Sequence, residues 1–166
     1  MYASAAQLLA RYNAEEIAQR VDDSLPPLVD GELLKRVVQG DDLSGYTPEQ
    51  QAAAGAALAD IERALRDADT TINSYLGSRY QLPVTQAADV LERIACQITR
   101  YFLYDNAVTE QVENLYKDSL AFLRDVSSGK VQLGPSESGV AAPVSAGAEM
   151  VSSGLVFSRD NSKGFI

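Results

Sequence analysis

The chain contains no histidine, no tryptophan and a single cysteine, Cys96. Without histidine there are no imidazole bases, no His-containing triads and no His metal ligands. One cysteine excludes an intramolecular disulfide. No apolar stretch approaches the roughly 20 residues that a membrane-spanning helix needs. The opening "MYASAAQLLARYNAEE" lacks the basic start and sustained apolar run of a signal peptide, so a protein made and used in the cytoplasm, or in an assembly built there, is expected. Neither GxGxxG nor the P-loop pattern GxxxxGKS/T occurs. Positive charge is also scarce, with 14 Lys and Arg against 23 Asp and Glu and a net charge of −9. That balance argues against binding phosphate backbones or anionic lipid. It suits a surface that DNA passes without sticking.

What remains is helical. Hydrophobic residues make up 46% of 166 residues, enough for one packed domain with an extension. Ser4 can cap "AAQLLARY", and Asn13 can cap "AEEIAQRVDD", whose early glutamates favour the positive end of the helix dipole. "SLPPLVDG" breaks the pattern, and Leu33–Val38 is too short for periodicity to separate helix from strand. Thr47, Pro48 and Gln50 then form a capping box with proline at the first helical position. Leu58, Ile61, Leu65, Ala68, Ile72 and Tyr75 follow at three–four spacing, the stripe of an amphipathic helix. That helix should run about 28 residues, roughly 40 Å.

A second long helix is expected from about Ala88 to Tyr104, with Leu91, Ile94, Ile98 and Tyr101 inward and Ala95, Phe102 and Leu103 widening the stripe. Thr109 caps a third, with Val112, Leu115, Tyr116, Ser119, Phe122, Leu123 and Val126 inward and Gly129 as its stop. The fold class is all-α, a small helical bundle of three long amphipathic helices plus short N-terminal ones. Residues 1–128 make the bundle. Residues 129–154 are a Gly/Ser/Ala-rich arm with too little apolar surface to offset its ordering entropy.

Chemistry-bearing residues are few. Cys96 sits near the inner face of a helix and reads as a small core residue. The pairs Asp22–Asp23 and Asp41–Asp42 lack the following oxygen ligands of a calcium loop and read as solvated turn residues. Tyr75, Tyr80, Tyr101, Tyr104 and Tyr116 are expected around the core with hydroxyls at its edge, more often than as a ligand pocket. No enzyme activity, cofactor or metal is expected. The last segment, 155–166, is different. Leu155, Val156, Phe157, Phe165 and Ile166 are costly to leave in water, and Arg159, Asp160 and Lys163 lie between them. Such a segment suits docking in extended form. An arm of about 28 residues gives it a reach of roughly 30 Å.

The residues also carry a resemblance. "MYASAAQLLARYNAEEIAQRVDD", "ALRDADTTINSYLGSRYQLPV", "LERIACQITRYFLYDNAVTEQVENLYKDSLAFLRDVSSGKVQLG" and the ending "VFSRDNSKGF" resemble successive blocks of the small Mu-like phage and prophage proteins encoded between capsid and tail genes. The similarity is weakest at Ser24–Tyr46 and Pro135–Ser153, and Asn161 and Ser162 replace a leucine often found after the "RD". The resemblance implies a head–tail connector, or adaptor, in the virion neck. It would form a ring of neighbouring copies under the portal protein, meet a downstream tail or tail-terminator protein, and let DNA pass without specific binding. It further implies that Leu155, Val156, Phe157, Arg159, Asp160, Phe165 and Ile166 grip the portal or a neighbouring subunit. The rival readings are a soluble helical assembly chaperone or regulatory module absent from the finished particle, and a metal- or Cys96-dependent enzyme.

Overall fold

Side-chain caps set where five of the six helices among the described residues begin. The structure, a computed structural model, describes residues 1–85, 87–104 and 108–133. Six helices are present among them and no strand: α1 Ala5–Arg11, α2 Ala14–Val21, α3 Gly31–Gln39, α4 Pro48–Leu76, α5 Ala88–Leu103 and α6 Glu110–Ser128. Ser4 and Thr47 each form the full capping box, with Gln7 and Gln50 reaching back to the cap N–H. Asn13 and Thr109 accept from Glu15 N–H and Val112 N–H. These bonds satisfy amide donors that a helix leaves without partners at its start.

The segment that periodicity left open, Leu33–Val38, lies inside helix α3. Its ends decide the matter. The Asp30 carboxylate accepts from Leu33 N–H at 2.7 Å, and Glu15 of α2 accepts from Gly31 N–H at 2.7 Å. At the far end Gly40 takes a left-handed conformation, φ 74°, and closes the helix. Gly31 is forced by proximity: a Cβ there would lie 2.7 Å from the Glu15 backbone nitrogen.

Helix α4 is the spine. Its buried residues are Ala54, Ala57, Ile61, Ala64, Leu65, Ala68, Ile72 and Leu76. All five other helices touch it, with α1, α2 and α3 also packing on one another and α6 resting on α4 and α5. The expected stripe is correct through Ile72 but not at its ends. Leu58 and Tyr75 are half-buried, while Leu76 is fully buried. In α5, Leu91, Ile94, Ala95, Ile98 and Leu103 face inward, but Phe102 is 36% exposed. Each i+4 step turns about 40° past a full turn of the helix, so the row Ile94, Ile98, Phe102 rotates out of the interface. In α6, Val112, Ser119, Leu123 and Val126 are buried, whereas Leu115, Tyr116 and Phe122 are half-buried.

Polar ties fasten the edges. Glu16 on α2 holds Arg100 on α5, with its Oε1 2.6 Å from one guanidinium nitrogen and 2.7 Å from Nε. The same oxygen accepts from the Tyr104 hydroxyl at 2.7 Å. The guanidinium also lies 4.5 Å from the Tyr12 ring centre, a cation–π contact. Glu92 on α5 accepts from Gln7 at 2.7 Å and pairs with Arg11 at 3.2 Å on α1. The packed chain runs on past α6 to Leu133, which is buried and whose N–H donates to the Tyr80 hydroxyl at 3.2 Å.

Two glycines give opposite expectations. Gly31→Ala should destabilise the bundle, because the added methyl meets the backbone of α2. Gly55 lies inside α4, exposed, with nothing within 4 Å of an added Cβ. Gly55→Ala should therefore stabilise by about 1 kcal/mol through helix propensity alone. Urea midpoints of the two variants check both signs.

Candidate functional site

The docking residues expected from the sequence, Leu155, Val156, Phe157, Arg159, Asp160, Phe165 and Ile166, lie outside the described residues. The described bundle buries a continuous core of its own, from Ala3 to Leu133.

Cys96 is fully buried in α5. Burial pushes its thiol up to about 11, against the smaller opposing pull of Arg11. A thiol that stays protonated is a poor nucleophile. One aspartate of each pair holds a turn in place, Asp22 in the first and Asp42 in the second. Asp22 accepts from Ser24 N–H at 3.0 Å, Leu28 N–H at 2.6 Å and Val29 N–H at 2.8 Å, so its carboxylate pins the α2–α3 connection. Burial alone would raise its pKa, but the donors at Val29, Ser24 and Leu28 outweigh that and hold it below the usual value. Asp22 is thus half-buried and engaged, not a solvated turn residue as expected. Asp42 makes the same kind of turn with the Ser44 hydroxyl and N–H, which lower its pKa. Among the described residues no group of three or more acidic or thiol side chains is placed to hold a metal. Nor is any described helix long and apolar enough to cross a membrane.

The five tyrosines do not form one pocket. Tyr101 and Tyr116 stack across α5 and α6, ring centres 3.9 Å apart and nearly parallel at 5°. Phe102 leans on Tyr116 at 6.1 Å. Tyr104 turns the other way, buried, toward Glu16. Tyr80 ties the α4–α5 connection to Leu133. Tyr75 is half-buried against the core.

Three surface hollows stand out. One, about 360 Å³, is lined by Tyr2, Asp69, Asn73 and Val84, where the Tyr2 hydroxyl donates to Asn73 at 2.6 Å. A second, about 300 Å³, lies between α2, α4 and α5 and is lined by Arg20, Asp23, Asp60, Arg63, Asp67 and Phe102 over Val21 and Ala64. A third, about 160 Å³, lies between α1 and α3, with Leu9, Ala10, Lys35 and Val38. These faces escaped sequence reading because each joins residues from segments far apart in the chain. The available signal was Phe102 itself, at the third step of an i+4 row.

The fold is a small all-helical bundle, with its cysteine buried and Asp22 and Asp42 engaged in turns. The particular family is settled by comparison with known proteins. The family model for Bacteriophage Mu, Gp36 matches residues 2–152, and the chain belongs to that family. The Mu-like prophage FluMu protein gp36 of Haemophilus influenzae is 46% identical over 121 residues, covering 73% of this chain and 84% of that protein. Gene product J of Escherichia phage Mu is 36% identical over 106 residues, covering 63% of this chain and 74% of that protein. The chain is thus a Mu-like phage protein. The family match stops at residue 152, short of the 155–166 segment.

Two outcomes test these side-chain roles. Cys96 should resist alkylation in the folded protein at pH 8 and react at once in denaturant, as read by mass spectrometry. The lowered pKa of Asp22 means that its stabilisation is intact above the ordinary carboxylate value of 3.8 and is lost as pH falls through the lower folded value. Asp22→Ala should therefore cost about 1–3 kcal/mol at pH 7, the penalty for orphaned donors. The gap to the wild type should narrow below pH 3.8 in urea titrations.

Proposed function

We propose that this protein is a structural virion component, a head–tail connector that forms a ring beneath the portal and helps DNA pass between head and tail. Membership in a Mu-like phage family supports a phage role. The observation that carries the finer reading is a division of labour along the chain. Residues up to Leu133 bury a core of their own, while the apolar and basic residues of 155–166 follow a stretch rich in Gly, Ser and Ala. A chain with a self-sufficient bundle and a costly terminal segment is built to hand that segment to a partner. The partner in this reading is the portal or a neighbouring copy, with the tail or tail-terminator protein below. No catalytic step, cofactor or metal is part of the proposal.

The net charge of −9 fits a ring whose channel passes DNA, since a negative wall does not hold phosphate. The charge also fits solubility before assembly. The neck position follows from the connector role and is tested with it.

Removal of Leu155–Ile166 should leave the helical content and melting temperature of the bundle unchanged while blocking assembly of heads with tails. A synthetic peptide covering Met150–Ile166 should bind portal rings of the parent phage saturably and lose binding when Phe157 and Phe165 become Ala. Heads that incorporate the truncated chain as well as the full one would sink the docking role of the segment.

A further inference from the structure

A closed ring is built from heterologous contacts, so one chain must carry two different faces that complement each other. The bundle offers such a pair in two of its hollows. The α2–α4–α5 groove carries Asp23, Asp60 and Asp67 beside Arg20 and Arg63, an excess of one carboxylate. Asp60 is already paired with Arg63, and the Arg20 guanidinium lies over the Tyr104 ring at 4.4 Å. Asp23 and Asp67 are exposed and make no ion pair among the described residues. Phe102 stands in this groove 36% exposed, and Leu25, two residues along the chain from Asp23, is 96% exposed.

The α1–α3 hollow is the opposite in sign. Its apolar wall is Ala6, Leu9, Ala10 and Val38. Lys35 on its edge is exposed and makes no ion pair among the described residues. The two faces share no residue and lie on different elements, so one copy can use both at once. An aromatic ring left in water and an apolar hollow left unfilled both forgo burial energy. Bringing them together recovers it and places unpaired charges of opposite sign side by side.

We infer that the acidic α2–α4–α5 groove of one copy docks on the α1–α3 face of a second copy. Phe102 enters the hollow beside Leu9 and Val38, and Lys35 approaches Asp67 or Asp23. The inference rests on the ring reading above and names the faces that such a ring brings together. The charges guide pairing and orientation, and the aromatic ring supplies the buried anchor.

The test uses the full chain. Self-association is followed by sedimentation velocity across concentration, and purified phage particles are treated with a carbodiimide. Lys35→Glu and Asp67→Lys should each weaken association about tenfold, a repulsion in place of an attraction. The double swap Lys35→Glu with Asp67→Lys should restore it, because every contact in the ring then carries the reversed pair. Phe102→Ala should weaken association without recovery by the swap. Melting curves confirm that each variant folds, and all these substituted residues are exposed. In particles, the carbodiimide should join the Lys35 amine to the carboxyl of Asp67 or Asp23 on another copy, with loss of water. Oligomers that ignore both single reversals, or a double swap as weak as the worse single variant, would overturn these faces while leaving a ring intact. A chain with no self-association in solution and no copy-to-copy link in particles would overturn the ring reading, and the faces with it.

Discussion

The burial of one stripe on α4 is the constraint on which the rest of the structure depends. Ala54, Ala57, Ile61, Leu65, Ala68, Ile72 and Leu76 are fully excluded from water, and every other helix packs against the element that carries them. The stripe begins in alanine and ends in branched residues. Small side chains toward the N-terminal end allow close approach of neighbouring backbone, and larger ones fill the space toward the other end. A helix of 29 residues gives this arrangement its length. Helices α1, α2 and α3 are too short to be stable alone, so they depend on packing here and on each other.

Polar contacts then fix the placement that packing alone leaves soft. Glu16 accepts two hydrogen bonds on one oxygen, from Arg100 Nε and the Tyr104 hydroxyl, and the same oxygen ion-pairs with a second guanidinium nitrogen. Arg100 is only 13% exposed, so that pair sits where losing one partner leaves a charge without solvent. Glu15 and Gly31 lock α2 to α3 at a distance only glycine permits. These contacts hold the short helices in one arrangement, and with them the rims of the two hollows that they line.

Much of the fold was legible because its signals are local. Ser4, Asn13, Thr47 and Thr109 cap the helices that follow them, as their side-chain oxygens and positions imply. The stripes of α4 and α5 follow a period that residue order displays directly. Helix α3 was not legible, since the bond that helps start it comes from Glu15, 16 positions earlier. Phe102 misled because an apolar residue on an i+4 row reads as interior until the drift of that row is counted. Tyr75 and Leu76 exchanged roles because the three–four alternation pointed to the i+3 position after Ile72, while the i+4 position is the one that packs. Asp22 resembled a solvated turn residue because three backbone donors are invisible in a residue string. Cys96 was legible from composition and position alone. The expected docking residues of 155–166 lie outside the described residues, so that reading rests on the sequence alone.

The proposed connector unites these features through geometry. In that proposal the bundle would supply the ring wall, the two unlike hollows the contacts between copies, and segment 155–166 the grip on a neighbouring ring. The central claim is that the protein remains in the finished virion as a ring component. Quantitative mass spectrometry of purified particles tests it most directly, with the portal as internal standard. The account predicts a fixed ratio of this chain to portal subunits, in the range of a single matched ring. Absence from mature particles, with abundance in unfinished heads, would contradict it and make the protein an assembly factor that departs before maturation.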